Sequence, residues 1–375
     1  MDTGTEGARF DVIVIGAGQT GLAAGYHLAR RGMDFVILEA SARVGDSWRS
    51  RYDSLRLYSP ARDDALPGLA FPAIGQRFPT GRQMGDYLEA YADHLGLPVH
   101  TSSRVDRLRP AGGGTAGYEV LTGSRVIRAP AVIVASGPFQ RPLTPAMAGE
   151  LDPAIRQLHS GEYRNPSQLV DGPALVVGAS HSGTDIAVEL AGTRRTYLSG
   201  RIHGQLPVSV DSRAGAVAWP ILKFIGTNLL TLRTPIGRRV AAHARMGGAP
   251  LLRNRRPELR RAGVIHLEAR TAGVRGGRPM LSDGQVLDVA NVVWCTGYRP
   301  DHSWIEPSIT GADGWPRQAD GSVEGAPGLY VLGVPFLSGF TSILVLGASR
   351  DAARVVERIV ESRARASSPA VAAVA

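Results

Sequence analysis

The chain has 375 residues, 43% of them hydrophobic, and a formal net charge of +9. This composition is typical of a globular protein long enough for two domains, and it argues against a disordered chain. The only cysteine is Cys295, which excludes an internal disulfide and any reaction that needs two redox-active thiols in one chain. A single cysteine, together with an N-terminus that lacks a basic and apolar signal segment, predicts a cytoplasmic protein.

The N-terminal region predicts a strand, a glycine-rich turn, a helix and a second strand. The apolar run 10–15 precedes a G-x-G-x-x-G turn, a helix is predicted through Arg30, and the strand 35–38 ends at Glu39. In such a unit the glycines permit a tight turn, close approach of a pyrophosphate, and packing of the helix on the strand. Glu39 is placed to accept hydrogen bonds from a ribose diol. The residues assigned to this phosphate-binding turn are Gly16, Gly18, Gln19 and Gly21.

The same unit recurs in the middle of the chain. A strand at 174–177, a glycine-containing turn, a helix through Leu190 and a strand at 196–198 lead to Arg201. Gly16 and Glu39 are 23 positions apart, and so are Gly178 and Arg201. A carboxylate suits ribose hydroxyls, whereas a guanidinium suits a 2′-phosphate, so we expect FAD in one unit and NADPH in the other. The alternative for Arg201 is an exposed arginine at a strand end. The residues assigned to the second site are Gly178, Ser180, His181, Ser182, Gly183, Ser199 and Arg201.

Several segments resemble flavin-containing monooxygenases, in particular bacterial members and the plant YUCCA type. The second turn has the Gly-x-Ser-x-Ser-Gly form of the NADPH motif of that family, which assigns NADPH to the second unit and FAD to the first. Segment 45–49 resembles the Gly-Gly-x-Trp segment of the family, with Asp46 in place of the second glycine. Segments 135–137 and 295–298 resemble its two Ala-Thr-Gly turns between domains. The resemblance adds these cofactor-binding residues: Trp48, Ser54, Leu57, Val105, Gly137, Thr296, Gly297 and Gly333.

The fingerprint Phe-x-Gly-x-x-x-His-x-x-x-aromatic of this family is half present. His159 and Tyr163 match its last two positions, whereas Pro153 and Ile155 stand where Phe and Gly are expected. The alternative for His159 is an ordinary polar residue of a linker.

The resemblance implies a monooxygenase that acts on a small organic substrate. NADPH would reduce the flavin, and a flavin C4a-(hydro)peroxide formed with O2 would transfer one oxygen atom. The alternatives are an NADPH-flavin oxidoreductase or dehydrogenase without oxygen insertion, and a flavin-bound regulatory module without turnover. The sequence predicts neither a catalytic side chain nor a metal site. Segments 54–59 and 337–342 are expected to line the active site.

The second unit lies between strands of the first, which predicts an inserted domain. We expect an α/β fold with two Rossmann-like dinucleotide-binding domains of the glutathione-reductase-like type. The FAD domain is expected at 1–160 and 290–365, and the NADPH domain at 165–289 with a helical insert at about 211–262. A flexible tail is expected at 366–375.

Two segments of the predicted insert suggest a partner other than a nucleotide. The apolar segment 214–232 is interrupted by Pro220, Lys223 and Asn228, so a core or lid helix is favoured over a transmembrane, membrane-surface or substrate-entry helix. The segment 233–261 is rich in arginine, and a solvated helical face that helps to bind an anionic cofactor is favoured over a nucleic-acid or membrane partner. We expect a small-molecule substrate and O2 as partners, and no nucleic acid. The sequence predicts no oligomeric state.

Overall fold

A computed structural model of the protein describes residues 7–112, 117–244 and 250–367. Most of the expected tail at 366–375, together with Arg245 of the arginine-rich segment, lies outside the described residues. The helices are α1 Gln19–Arg30, α2 Asp46–Arg49, α3 Gly81–His94, α4 His181–Ala191, α5 Arg213–Phe224, α6 Pro235–Ala244, α7 Arg256–Arg261 and α8 Val345–Ser367.

The strands are short and follow one another closely along the chain. Those of the first half are β1 Val12–Ile15, β2 Phe35–Leu38, β3 Val99–His100, β4 Arg107–Pro110, β5 Tyr118–Thr122, β6 Arg125–Ala129, β7 Ala131–Val134, β8 Arg141–Pro142, β9 Arg156–His159 and β10 Ala174–Val177. Those of the second half are β11 Thr196–Ser199, β12 Ile265–Leu267, β13 Thr271–Arg275, β14 Arg278–Leu281, β15 Asn291–Trp294, β16 Tyr298–Arg299, β17 Gln318–Ala319, β18 Ser322–Val323 and β19 Leu329–Val331.

The first large sheet has the strand order β17-β18-β19-β7-β1-β2-β3. Its strands from β19 to β3 are parallel, and β17 and β18 extend one edge as antiparallel strands. All four residues of β1 are buried, as expected for a parallel strand that is covered on both faces. Helices α1 and α8 pack against each other beside this sheet. The end of the chain thus returns to the first glycine-rich unit.

The second large sheet has five strands, all parallel, in the order β12-β11-β10-β15-β9. Two strand–turn–helix–strand units therefore build two separate parallel sheets, and the predicted α/β fold with two Rossmann-like domains is confirmed. Strands β9 and β15 belong to the second sheet, although the expected boundaries at 160 and 290 assign both strands to the first domain. We therefore propose that the second domain begins before Arg156 and ends after Trp294.

Two chain segments connect the large sheets, and they pair with each other. Strand β8 follows the first sheet and runs antiparallel to β16, which follows the second sheet. The hydroxyl of Thr296, at the start of the second connection, donates a hydrogen bond to the carbonyl of Leu143 in the first. Both turns that resemble interdomain turns therefore lie side by side at the junction of the two domains.

The predicted insert is helical, and its helix α5 packs against the first domain. The indole of Trp219 on α5 is 8% exposed and donates a hydrogen bond to Oδ2 of Asp63 (2.7 Å). Lys223 forms an ion pair with the same carboxylate. The opposite face of α5 is exposed, so the prediction of a core helix is wrong for that face. None of the described helices is long and apolar enough to cross a bilayer.

Candidate functional site

The three glycines of the first turn occupy three different environments. Gly16 has φ +106°, and a Cβ there would lie 2.6 Å from the carbonyl oxygen of Ala135. A Cβ on Gly21 would lie 1.9 Å from the carbonyl oxygen of Gly16. Both positions therefore require glycine for the fold itself. A Cβ on Gly18 would have no neighbour within 4 Å, which leaves open space at the N-terminus of α1 where a phosphate can approach backbone N–H groups.

Glu39 lies at the end of β2 with its carboxylate turned towards the first turn. Its Oε2 accepts a hydrogen bond from the backbone N–H of Ala17 (2.7 Å), and its Oε1 accepts one from Ser41 (2.8 Å). Each carboxylate oxygen can accept a second hydrogen bond. The side chain is therefore held in place by the backbone and still able to bind a ribose diol.

The structure brings two more of the predicted cofactor-binding residues to the first turn. The indole N–H of Trp48 donates to the side-chain oxygen of Gln19 (3.3 Å), which joins α2 to the first turn of α1. Gly333 has φ +70° and lies against Thr20, since a Cβ there would be 3.2 Å from the hydroxyl oxygen of Thr20. The segment after β19 thus also lies against the start of α1.

The remaining predicted cofactor-binding residues make their contacts elsewhere in the structure. Val105 packs against the core of the first domain. Ser54 is exposed and its hydroxyl hydrogen bonds Glu189, whereas Leu57 is buried and its carbonyl accepts a hydrogen bond from Arg253 (3.0 Å). In the connections between the domains, Gly137 and Gly297 have φ +73° and +86°, and a Cβ at either would find open space. The structure therefore joins Ser54 and Leu57 to the second domain, whereas Val105 belongs to the core of the first.

The second turn repeats the geometry of the first. Gly178 has φ +109°, and a Cβ there would lie 2.4 Å from the carbonyl oxygen of Cys295. A Cβ on Gly183 would lie 1.8 Å from the carbonyl oxygen of Gly178. Ser180, the counterpart of Gly18, precedes α4 without a side-chain hydrogen bond to the helix backbone. The second site therefore differs from the first in having a side chain where the first has open space.

At the strand end of the second unit, Arg201 and Ser199 differ in accessibility. Arg201 is exposed, and no hydrogen bond joins its guanidinium to the described residues. Ser199 is 1% exposed, and its hydroxyl shares a hydrogen bond with that of Thr271 (2.7 Å). Arg201 is therefore available to an anionic ligand, whereas the hydroxyl of Ser199, also assigned to the second site, is buried and bonded within the protein.

A polar cluster that the sequence did not predict joins the two domains. Asp185 on α4 accepts hydrogen bonds from the hydroxyls of Tyr52 (3.0 Å) and Tyr58 (2.8 Å) and from the amide of Asn254 (2.6 Å). Burial, and then the charge of Asp185, raises the pKa of both tyrosines well above its usual value. Both phenols therefore stay protonated and act as donors. Ser182 of the second turn also hydrogen bonds Tyr52.

His181 lies at the first position of α4, and its ring contacts that of Tyr58 with 4.7 Å between centroids. Burial lowers the pKa of His181, so the imidazole is neutral at pH 7. Its Nε2 is buried without a hydrogen-bond partner. A bound ligand with a polar group could satisfy this atom, which fits the placement of a nucleotide at this turn.

His159 belongs to the junction of the domains. It is 3% exposed, its Nδ1 accepts from the N–H of Gly161 (3.1 Å), and its Nε2 therefore donates to the carbonyl of Gly297 (3.0 Å). Burial lowers the pKa of this imidazole. Its ring packs edge-on against Tyr298, and the guanidinium of Arg51 lies over the other side of this aromatic group. His159 is thus a packed residue of the junction, and the alternative of an ordinary polar linker residue is wrong.

Arg253 corrects one expectation about the arginine-rich segment. It is 5% exposed, so it does not belong to a solvated face. Its guanidinium pairs with Asp211 (2.7 Å), donates to the carbonyls of Arg56 and Leu57 (both 3.0 Å), and lies over the ring of Tyr58. The contacts of Arg253 therefore hold segment 54–59 against the second domain. No group of three or more His, Cys, Asp or Glu within the described ranges could hold a metal ion.

The comparison with known proteins agrees with this geometry. The family model described as pyridine nucleotide-disulphide oxidoreductase matches residues 13–199, although one cysteine per chain does not provide the thiol pair that disulfide chemistry needs. The uncharacterized CzcO-like oxidoreductase of Geobacillus kaustophilus is 35% identical over 93% of this chain and 98% of its own length. The probable indole-3-pyruvate monooxygenase YUCCA7 of Arabidopsis thaliana is 26% identical over 93% of this chain and 87% of its own length.

The solved structures include close matches over nearly the whole chain. A double mutant of the flavin monooxygenase from Stenotrophomonas maltophilia superposes with a TM-score of 0.75 and 26% identity, and the match covers 94% of this chain and 99% of the other. The 35% identity to the CzcO-like oxidoreductase over nearly the whole chain, together with these monooxygenase relatives, shows that the chain belongs to the flavin-containing monooxygenase-like family of oxidoreductases.

Proposed function

We propose that the protein is a monooxygenase that uses FAD and NADPH to insert one atom of O2 into a small organic substrate. The observation that carries this proposal is the pair of dinucleotide turns whose strands end in opposite charges, Glu39 and Arg201. The family supplies the rest, since relatives over the full length are named as flavin and indole-3-pyruvate monooxygenases.

The first turn suits FAD. Its pyrophosphate would occupy the open space at Gly18 and accept hydrogen bonds from N–H groups at the start of α1, which also carries the positive end of the helix dipole. The carboxylate of Glu39 would accept hydrogen bonds from the adenosine ribose and would repel an additional phosphate there. Trp48 and Gly333 enclose this turn from two sides.

The second turn suits NADPH. The exposed guanidinium of Arg201 can form charge-assisted hydrogen bonds with a 2′-phosphate, which NADH lacks. The unpartnered Nε2 of His181 would gain a hydrogen bond from the bound nucleotide. Because Tyr58 contacts His181 and bonds Asp185, segment 54–59 of the first domain lies against the second nucleotide site.

When bound, FAD supplies hydride acceptance and the reaction with O2, and NADPH supplies the hydride. The chain holds the two nucleotides in fixed positions and keeps water away from the reacting atoms. Asp185 and Arg253 hold segment 54–59 in place, and the carbonyl of Leu230 in the insert accepts a hydrogen bond from the N–H of Phe340 in segment 337–342 (2.8 Å). These contacts support the proposal that the two segments are active-site walls.

The test is a product balance. Purified protein loaded with FAD is supplied with NADPH, O2 and a panel of sulfides, amines, ketones and 2-oxo acids, the last because related proteins carry the name indole-3-pyruvate monooxygenase. NADPH consumed, peroxide released and oxygenated product are then measured. One oxygenated product per NADPH with a member of the panel is the expected result. Complete conversion of O2 to peroxide with every substrate, or electron transfer to an acceptor without oxygenation, would assign an oxidoreductase without oxygen insertion.

A further inference from the structure

The helical insert carries an unusual concentration of exposed apolar side chains. Among the residues that the structure describes, nine large hydrophobic side chains are exposed, and seven of them lie at 217–236 or 343–344. Val217 is 80% exposed, Ile221 64%, Phe224 57% and Ile236 63%. Single exposed apolar residues are common on protein surfaces, but a contiguous group indicates a surface that meets another molecule.

The exposed residues of α5 share one helix face. Val217, Ile221 and Phe224 follow at spacings of four and three residues, which places them in one row along the helix. The opposite face is held by Trp219 and Lys223 through Asp63. Rotation of α5 to bury the apolar row would break these bonds, so the row stays exposed in the folded protein.

The charged residues within the insert sequence around this row are all basic. Residues 212–257 include nine Arg or Lys residues and no Asp or Glu. Arg213 is exposed and precedes Val217 by four residues, so it lies on the same helix face. We call the exposed side chains of Arg213, Val217, Ile221 and Phe224 on α5 the insert face.

We propose that the insert face binds peripherally to the surface of an anionic lipid bilayer. An apolar row inserts into the boundary between headgroups and acyl chains, and flanking arginines attract acidic headgroups. The charge disfavours a second copy of this chain as the partner, because two basic faces would repel each other. The exposed Val, Ile and Phe disfavour a nucleic acid, whose phosphates attract basic and not apolar side chains.

The insert face lies next to the proposed active-site walls. Thr231 forms an isolated β-bridge with Gly339, and Gly226 lies against Phe340 and Thr341. Ile343 and Leu344, which directly follow this segment, are 37% and 40% exposed. A bilayer bound to the insert face would therefore adjoin segment 337–342.

The experiment is a vesicle flotation assay with the full FAD-loaded chain. Vesicles contain either phosphatidylcholine alone or phosphatidylcholine with phosphatidylglycerol, and the bound fraction is measured at low and physiological salt. We expect at least about tenfold stronger binding to the anionic vesicles, and weaker binding as salt rises. Equal binding to both vesicles, or none to either, would overturn the proposal.

Variants separate the apolar and the basic contributions. The triple substitution Val217→Ser, Ile221→Ser and Phe224→Ser is expected to lower anionic vesicle binding about tenfold or more, since it removes the inserted row. Val170→Ser, at an exposed valine outside the insert, is the matched control. Arg213→Glu is expected to weaken binding more than Arg275→Glu, which changes an exposed arginine on β13. Far-UV circular dichroism and the unfolding temperature verify that each variant is folded.

The same variants test the two alternative partners, a second copy of this chain and a nucleic acid. Sedimentation velocity that shows a dimer in the wild type and a monomer in the triple serine variant would assign the face to a second copy and overturn the proposal. Vesicle binding that duplex DNA abolishes, and that the serine substitutions leave unchanged, would also overturn it. Retained NADPH oxidation by the triple variant is expected, since none of the three residues lies at a nucleotide turn.

Discussion

The two dinucleotide units have the same backbone and different surroundings. Both turns require glycine at their first and third positions, because a Cβ on Gly21 or Gly183 would meet the carbonyl oxygen of the first glycine of its own turn. The middle position differs, with open space at Gly18 and a side chain at Ser180. The charged ends differ further, since two backbone N–H groups hold Glu39, whereas Arg201 is exposed and unbonded within the described part. The fold thus requires glycine at two positions of each turn, and we propose that the other positions select the nucleotide.

The largest effect is expected at the exposed charge of the second unit. Arg201→Glu should lower kcat/KM for NADPH about 100-fold, because a charge-assisted contact worth 1.5–3 kcal/mol is replaced by repulsion of the 2′-phosphate. The value for NADH should change far less. Steady-state NADPH and NADH oxidation measures both, with Arg275→Glu as the control for a general loss of positive charge. An unchanged preference would show that the two charged ends do not select the nucleotides.

The contact between the units can be broken at Asp185. Asp185→Ala leaves two buried phenols and one amide without an acceptor and should cost about 2–3 kcal/mol of unfolding free energy. Asp185→Asn keeps one acceptor oxygen and should cost about 1 kcal/mol. Urea unfolding of the three proteins measures the order. If the alanine and asparagine variants were equally stable, the hydrogen bonds to Asp185 would not hold the domains together.

Substitution of Gly18, the middle glycine of the first turn, separates an effect on FAD binding from an effect on folding. Gly18 has φ −76° and no neighbour for a Cβ, so Gly18→Ala should fold like the wild type. The added methyl group occupies the space through which the pyrophosphate approaches, so FAD affinity should fall about tenfold. Equilibrium titration of the apoprotein with FAD measures the affinity, and thermal unfolding of the apoprotein tests the fold. Gly149→Ala, at another glycine with open space and ordinary φ, is the control.

The sequence predicted the parts of this site that lie within one local unit. The strands, the glycine positions and the charges at Glu39 and Arg201 follow from spacing, because a strand–turn–helix–strand unit fixes them within about 25 residues. The cluster at Asp185 could not be predicted, since its bonds to Tyr52 and Tyr58 join residues 133 and 127 positions apart. No local pattern marks such partners, and only the packing of the two domains brings them together.

The exposed face of the insert and the domain boundaries also depend on contacts between distant residues, which local sequence patterns do not show. The apolar composition of 214–232 predicted a core or lid helix. Composition does not say which face of the helix is covered, and Val217 and Ile221 are 80% and 64% exposed. Strand β9 was assigned to the first domain by its position in the chain, whereas its pairing with β15 puts it in the second sheet. Burial of Arg253 likewise depends on Asp211 and on two carbonyls of the first domain.

A further prediction concerns a buried carboxyl group in the first domain that differs from the fully bonded Asp185. Asp64 is 0% exposed, its Oδ1 accepts a hydrogen bond from Ser59, and its Oδ2 has no partner. Burial raises the pKa of Asp64 to about 8 from an ordinary value of 3.8. Between these two pH values the folded state binds more protons than the unfolded state. The contribution of Asp64 to stability is therefore fully present below pH 3.8 and is lost as the pH rises through about 8.

Asp64→Asn removes this titration and should stabilise the protein by about 1–3 kcal/mol at pH 8, with little effect at pH 4. The neighbouring residue provides a control of opposite sign. Burial raises the pKa of Asp63, but the hydrogen bonds from Lys223 and Trp219 outweigh it and leave that pKa lowered. Asp63→Asn should therefore destabilise the protein at pH 8, since the carboxylate is ionised and paired there. Unfolding temperatures of both variants across pH 4–8 that moved in the same direction would show that the two adjacent carboxyl groups do not differ in burial and pairing as described.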